Sequence, residues 1–236
     1  MKKIIILITI LLFVCSCDKD KEIGSTNIDN SLISIIPSKE PFVSPIDFNL
    51  LFDINSHIIG QIDILNADIS FPIVQHPTDD SYYLRRDINQ NDSNSGVIYI
   101  ENWNNLLFND INTVIYGHNN DRKEFFGKLQ VYYDNDYVDA NKDIVIYTPG
   151  ATLEYEIIGT TIYDDRHIPY TFDSNDLKEV NEFISSANNE NSYFPNFELL
   201  KEDDKIITLS TCYGDWLSQV PTERFLVIAK LKNIDN

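Results

Sequence analysis

Cysteine is scarce in this chain, and the scarcity is informative. Three cysteines occur in 236 residues; Cys15 and Cys17 fall in the N-terminal leader, so Cys212 stands alone in the rest of the chain. Exported domains usually pair their cysteines, and a single one has no partner within the chain. That excludes a disulfide framework and leaves two readings of Cys212, a small buried hydrophobe or a thiol kept for chemistry. Basic residues are also few, 18 against 37 acidic, for a net charge of −19. No basic patch is segregated along the sequence, so the surface repels phosphate backbones and argues against nucleic-acid binding.

Other absences narrow the chemistry further. Past the leader, no close pair of cysteines or histidines stands at metal-ligand spacing, so neither a metal nor another cofactor is expected. Asn91-Asp92-Ser93-Asn94-Ser95-Gly96 resembles a calcium loop but lacks the ordered ligands and the closing glutamate. There is no phosphate-binding glycine loop, no nucleophilic-serine elbow and no internal repeat. The apolar run from Ile4 to Cys17 falls short of the roughly 20 residues a spanning helix needs.

What is present begins with that run. Met1-Lys2-Lys3 precedes it and Asp18-Lys19-Asp20-Lys21 succeeds it, the layout of an export signal. Val14-Cys15-Ser16-Cys17 resembles a lipobox, with Cys15 departing from the usual residue at its place. A lipid anchor, an uncleaved membrane anchor and a cleaved signal all stay open, and each puts the domain on the extracytoplasmic side. Residues 1–17 are thus assigned to a signal or anchor. Asp18 to Ser44, polar and proline-bearing, reads as a tether, and 45–236 reads as one domain. At 43% hydrophobic and 12% aromatic residues, that domain is globular with a sizeable core.

Within it, short β-like runs separated by turn residues dominate. They are His57 to Ile62, Phe71 to Gln75, Gly96 to Ile100, Asn112 to Tyr116, Asp143 to Thr148, Leu153 to Ile162, Lys205 to Thr211 and Arg224 to Leu231. Ser174 to Ser186 opens on a capping residue and spaces Leu177, Val180, Phe183 and Ile184 as a helix does. Phe125 to Tyr132 predicts a short helix. Many short strands with one inserted helix suggest a closed β-barrel, although the pattern alone does not separate barrel from sandwich.

Three polar residues stand at the ends of such runs. Cys212 closes Ile206 to Thr211, His118 comes just after Val114-Ile115-Tyr116-Gly117, and Arg224 opens Phe225 to Ala229. Chemically they offer a nucleophile, a proton carrier and a planar fork of donors for a carbonyl or an oxyanion. The plain alternatives are a buried thiol, a turn histidine bonding its own loop and a salt bridge from Arg224 to Glu223 or Asp215. His57, His76 and His167 lack a comparable setting, His167 lying in the polar Asp164-Asp165-Arg166 loop.

The motifs themselves resemble a known family. Thr208-Leu209-Ser210-Thr211-Cys212 is similar to the sortase signature around the active cysteine. Val114 to Asn119, with Phe125-Phe126-Gly127-Lys128-Leu129 after it, resembles the histidine segment of class B sortases. Phe71 to Gln75 with Tyr82-Tyr83-Leu84, Ile146-Tyr147-Thr148-Pro149 and Arg224 to Leu231 extend the likeness in order from about Asn55 onward.

The resemblance implies a mainly β fold, an eight-stranded sortase-type barrel with an N-terminal helical segment and a helix inserted between late strands. It implies a membrane-anchored cysteine transpeptidase of a Gram-positive cell wall, with no metal or cofactor. Cys212 would cleave the sorting signal of a secreted protein after threonine. His118 would carry the proton and Arg224 would hold the carbonyl or oxyanion. The acyl group would pass through a thioacyl-enzyme to an amine of a cell-wall precursor or another protein such as a pilin. Ser210, on the face of Cys212 by the period of two, would line the substrate groove. The loop Tyr213 to Glu223 would shift substrate preference. A thiol peptidase releasing product to water, a non-catalytic surface domain and a redox sensor at Cys212 are the alternatives.

Overall fold

The computed structural model describes residues 41–119, 124–214 and 222–236. The expected leader and all but the last residues of the tether lie outside them, as does most of the loop Tyr213 to Glu223. Among the described residues no helix is long and apolar enough to cross a membrane.

The chain enters through α1 (Phe48–Ile54), whose N-cap Asp47 accepts from the amides of Asn49 and Leu50. The strands are β1 (Ile58–Ile64), β2 (Ile69–Val74), β3 (Ile98–Tyr99), β4 (Asn112–Tyr116), β5 (Asp143–Tyr147), β6 (Thr152–Asp164), β7 (Ser192–Tyr193), β8 (Ile206–Cys212) and β9 (Glu223–Asp235). They pair in the order β5-β1-β2-β3-β4-β8-β9-β6, and β6 pairs back onto β5. The result is a closed eight-stranded barrel, with β7 a short extra edge on β6. All eight runs read from the sequence are strands. Two register shifts along β6 and β9 supply the local bends a closing sheet needs.

The helices lie outside the barrel. A 3-10 stretch spans Phe125–Tyr133 and leads into α2 (Asn135–Ala140). The connection from β6 to β8 carries α3 (Ile168–Thr171) and α4 (Leu177–Ala187). The cap of α4 is Asp176 rather than the expected Ser174: its carboxylate accepts from the amides of Lys178 and Glu179. The buried stripe of α4 is Val180, Phe183, Ile184 and Ala187, the spacing of one helical face.

The apolar residues fall into three layers. Ile62, Ile115, Leu209, Val227 and their neighbours fill the barrel. Val114, Leu226 and Ile228 point outward beneath the stripe of α4. Phe48 of α1 covers Val74, Tyr83 and Tyr99 on another part of the outer wall. β8 is therefore buried on both faces, which is why its sequence is a continuous apolar run rather than an alternating one.

Candidate active site

The period of two assigns the faces of β8. Ile207 and Leu209 point into the barrel and Ile206 outward, so Ser210 and Cys212 are on the outer face. On β9, Phe225 and Val227 point inward and Leu226 outward, which puts Arg224 on the outer face as well. The antiparallel register sets Cys212 directly opposite Arg224. One row along, Tyr99, Tyr116, Ser210 and Leu226 stand side by side across β3, β4, β8 and β9. Together these strand ends form a patch of outer wall beside the β6–β8 connection.

His118 reaches this patch from the end of β4. Gly117 donates to Ser210 O at 3.1 Å, and Asn119 Nδ2 donates to Cys212 O at 3.0 Å, so His118 hangs between two anchors on β8. Asn119 is buried and its side-chain oxygen accepts from Gln130 Nε2 at 3.1 Å. His118 Nε2 lies 2.7 Å from Leu84 O. A carbonyl only accepts, so Nε2 carries a proton and Nδ1 is the nitrogen left for proton transfer. Gly96, at φ +55°, presses on the ring: a Cβ there would sit 2.9 Å from His118 Cδ2 and 2.8 Å from Tyr83 O.

Cys212, His118, Arg224 and Ser210 all line one cavity of about 210 Å³. Cys212 is a half-buried free thiol, Ser210 is buried, and Arg224 Nη1 donates to Glu223 O at 3.1 Å. Asp215, the other partner expected for Arg224, lies outside the described residues. Gathering the four was legible in the sequence; the rest of the cavity was not. Glu101 lines it, its carboxylate 2.6 Å from His167 Nε2. Tyr99 and Tyr116 stack with ring centroids 5.4 Å apart. The Tyr116 hydroxyl is buried near the Glu101 carboxylate.

Burial raises the pKa of Glu101, and the nearby His167 works against that rise. Burial raises Tyr99 and Tyr116 too, with Glu101 pushing the same way and Arg224 opposing. Both phenols thus stay neutral hydrogen-bond donors while sensing an anion and a cation of the same site. Among the described residues no group of three histidine, cysteine or carboxylate side chains could hold a metal ion. The signal for Asn119 was its place directly after His118. Nothing local marked His167.

The arrangement offers a thiol, an imidazole with one free nitrogen and a guanidinium on a shared outer face, which suits acyl transfer through sulfur. Known proteins carry the same fold and sequence pattern. The sortase domain model matches residues 62–232. Sortase B of Listeria monocytogenes is 29% identical over 161 residues, covering 67% of this chain and 64% of that protein. Sortase B of Staphylococcus aureus is 23% identical over 216 residues, 91% of this chain and 86% of that one. The crystal structure of sortase B from Bacillus anthracis in complex with AAEK1 superposes with a TM-score of 0.67 at 26% identity, covering 83% of this chain and 88% of that chain. That of Clostridium perfringens sortase B gives 0.67 at 25%, covering 79% and 100%. A match running through all the barrel strands from β1 to β9, with class B proteins among its relatives in sequence and in structure, places this chain in the sortase family, a family of cysteine transpeptidases.

Proposed function

We propose that this protein is a class B sortase-type transpeptidase acting at the extracytoplasmic face of the membrane. Residues 1–17 serve as its signal or anchor, 18–44 as the tether and 45–236 as the catalytic domain. The observation that carries the reading is the register of β8 and β9, which sets Cys212 opposite Arg224 on the wall where His118 hangs.

Cys212 Sγ attacks the carbonyl carbon of a threonine in a sorting signal, and its proton passes to His118 Nδ1. Arg224 donates to the carbonyl oxygen as it becomes an oxyanion; its charge is permanent and its donors are planar. The C–N bond breaks, the leaving amine takes the proton from His118, and a thioester remains on Cys212. An amine of a cell-wall precursor or of another protein then attacks that thioester and His118 serves as base. Ser210 lines the groove beside Cys212. The stacked Tyr99 and Tyr116 line the same cavity.

The test is intact mass of the domain lacking residues 1–27 after incubation with threonine-containing peptides, with and without an amine. The expected result is an adduct on Cys212 that converts to an amine-linked product and is absent from Cys212→Ala. An adduct released only to water would make the protein a thiol peptidase. An adduct that persists in Cys212→Ala would remove the nucleophile assignment.

A further inference from the structure

Transfer to an amine has a proton count that His118 alone does not meet. Lysine-type amines titrate near about 10.4 and α-amino groups near about 7.7–8.0, so an acceptor arrives near neutrality mostly as an ammonium. An ammonium has no lone pair. It must lose one proton before attack and a second once the C–N bond has formed. In the transpeptidase cycle His118 takes the second and returns it to the sulfur of Cys212. A second base in the same cavity would remove the first from the bound ammonium and spare the enzyme its dependence on the small fraction of free amine in solution.

Glu101 is such a base. Its backbone oxygen is fixed by Gln75 Nε2 at 2.7 Å, and its side chain lines the cavity of Cys212. His167 holds the carboxylate: the imidazole Nδ1 accepts from Tyr170 N at 3.1 Å, so the ring proton sits on Nε2, 2.6 Å from Glu101 Oε2. A neutral imidazole leaves the carboxylate's negative charge in place. Asp165, Arg166 and Arg224 are the other charged residues of the lining, and Arg166 is paired with Asp164. Arg224 suits an acyl oxygen and repels an ammonium; Glu101 does the reverse. Just outside, exposed Trp103 and Tyr170 meet edge to face at 6.3 Å, apolar surface for the chain that bears the amine.

We propose that Glu101, oriented by His167, docks the ammonium group of the acceptor and takes its first proton. The inference rests on the transpeptidase reading. The ammonium gives a proton to the Glu101 carboxylate, leaving a neutral amine and a carboxylic acid. The amine lone pair forms a C–N bond to the thioester carbon, and the nitrogen's surplus proton moves to His118. The C–S bond breaks with its electrons on sulfur, which takes the proton from His118. Glu101 then releases its proton to water. The raised pKa of Glu101 favours its holding a proton between these steps.

The test bypasses the unknown sorting signal. Cys212 of the purified domain is acetylated by transthioesterification from an aryl thioester, and its aminolysis is tracked by mass. Two nucleophiles are used near pH 7: glycinamide, largely an ammonium, and hydroxylamine, largely neutral. Glu101→Gln should lower the glycinamide-to-hydroxylamine rate ratio by on the order of 10²-fold, the scale of a lost general base. The ratio should recover at a pH where glycinamide is free amine. His167→Gln, which keeps the carboxylate but loosens it, should lower the ratio less, and it serves if Glu101→Gln does not fold. A wild-type ratio in the folded variants overturns the proposal alone. A wild-type acyl-enzyme no more reactive toward glycinamide than a free acetyl-cysteine overturns the transpeptidase reading, and this inference with it.

Discussion

Cys212 and Arg224 are direct partners across the β8–β9 ladder, side chains on the same outer face. Directly opposed residues of antiparallel strands have Cβ atoms roughly 4.5–5.5 Å apart, so the guanidinium is tied to the thiol by backbone register rather than by a loop. Sheet pairing fixes that register, and a slip of β8 by one residue would turn Cys212 into the barrel and leave Arg224 outside.

Arg224→Lys tests this geometry. The charge stays but the planar fork is lost. The acylation rate should fall by about 10²-fold or more, as on removing an oxyanion donor, while the thermal midpoint stays near that of the unmodified protein. Stopped-flow or mass-resolved acylation checks it; full activity would reduce Arg224 to a charge partner.

Gly96→Ala tests the support of His118. The added Cβ is strained at φ +55° and meets the backbone oxygen of Tyr83 and the imidazole together. The variant should lose about 1–3 kcal/mol of stability, the cost of overpacking, and its turnover should fall beyond what the unfolded fraction explains. Chemical denaturation beside kcat separates the two effects; wild-type turnover would show that the ring can move without loss.

Asn119→Ala removes a bridge between Cys212 O and Gln130. Two half-buried partners then lose a hydrogen bond, a cost of about 0.5–1.5 kcal/mol each. Asn119 is a positioning residue, so kcat should fall more than KM changes. A shift in KM alone would place it in substrate binding instead.

Stability should carry a signature of Glu101. Burial raises its pKa in the folded state, so the fold holds this proton more tightly than the unfolded chain does. The stability contributed by the protonated form is full below the unfolded value of about 4.3 and is lost as pH rises through the folded value. Glu101→Gln should therefore gain on the native protein as pH rises from about 4 to about 7. Urea unfolding of both at each pH reads the difference; a gap that does not change with pH would mean that His167 fully offsets the burial.

The strands were legible because each is an apolar or alternating run closed by turn residues. The trio was legible because each member ends or opens such a run. Ser192 and Tyr193 of β7 were not, two residues being too few for a period. Nor was α3, a single turn after His167. The cap of α4 moved from Ser174 to Asp176 because both residue types cap well, and only the backbone placed the amides of Lys178 and Glu179 at one of them. The pairing of His167 with Glu101 spans 66 positions, and its partner reads in sequence as an ordinary charge after a strand. Distance along the chain hides contacts that the barrel makes by closing.

The parallel pairing of β4 with β8 has a temporal side. Asn119 and Cys212, bonded in the finished site, are 93 positions apart, and Thr208 and Asn112 are 96 apart. Contacts this distant form slowly, because a long loop must close before they stabilise anything. In a chain delivered N-terminus first, the imidazole is in place long before its thiol arrives, and the guanidinium comes later still. The imidazole therefore spends most of delivery without its thiol, and reactivity switches on only with the final strand.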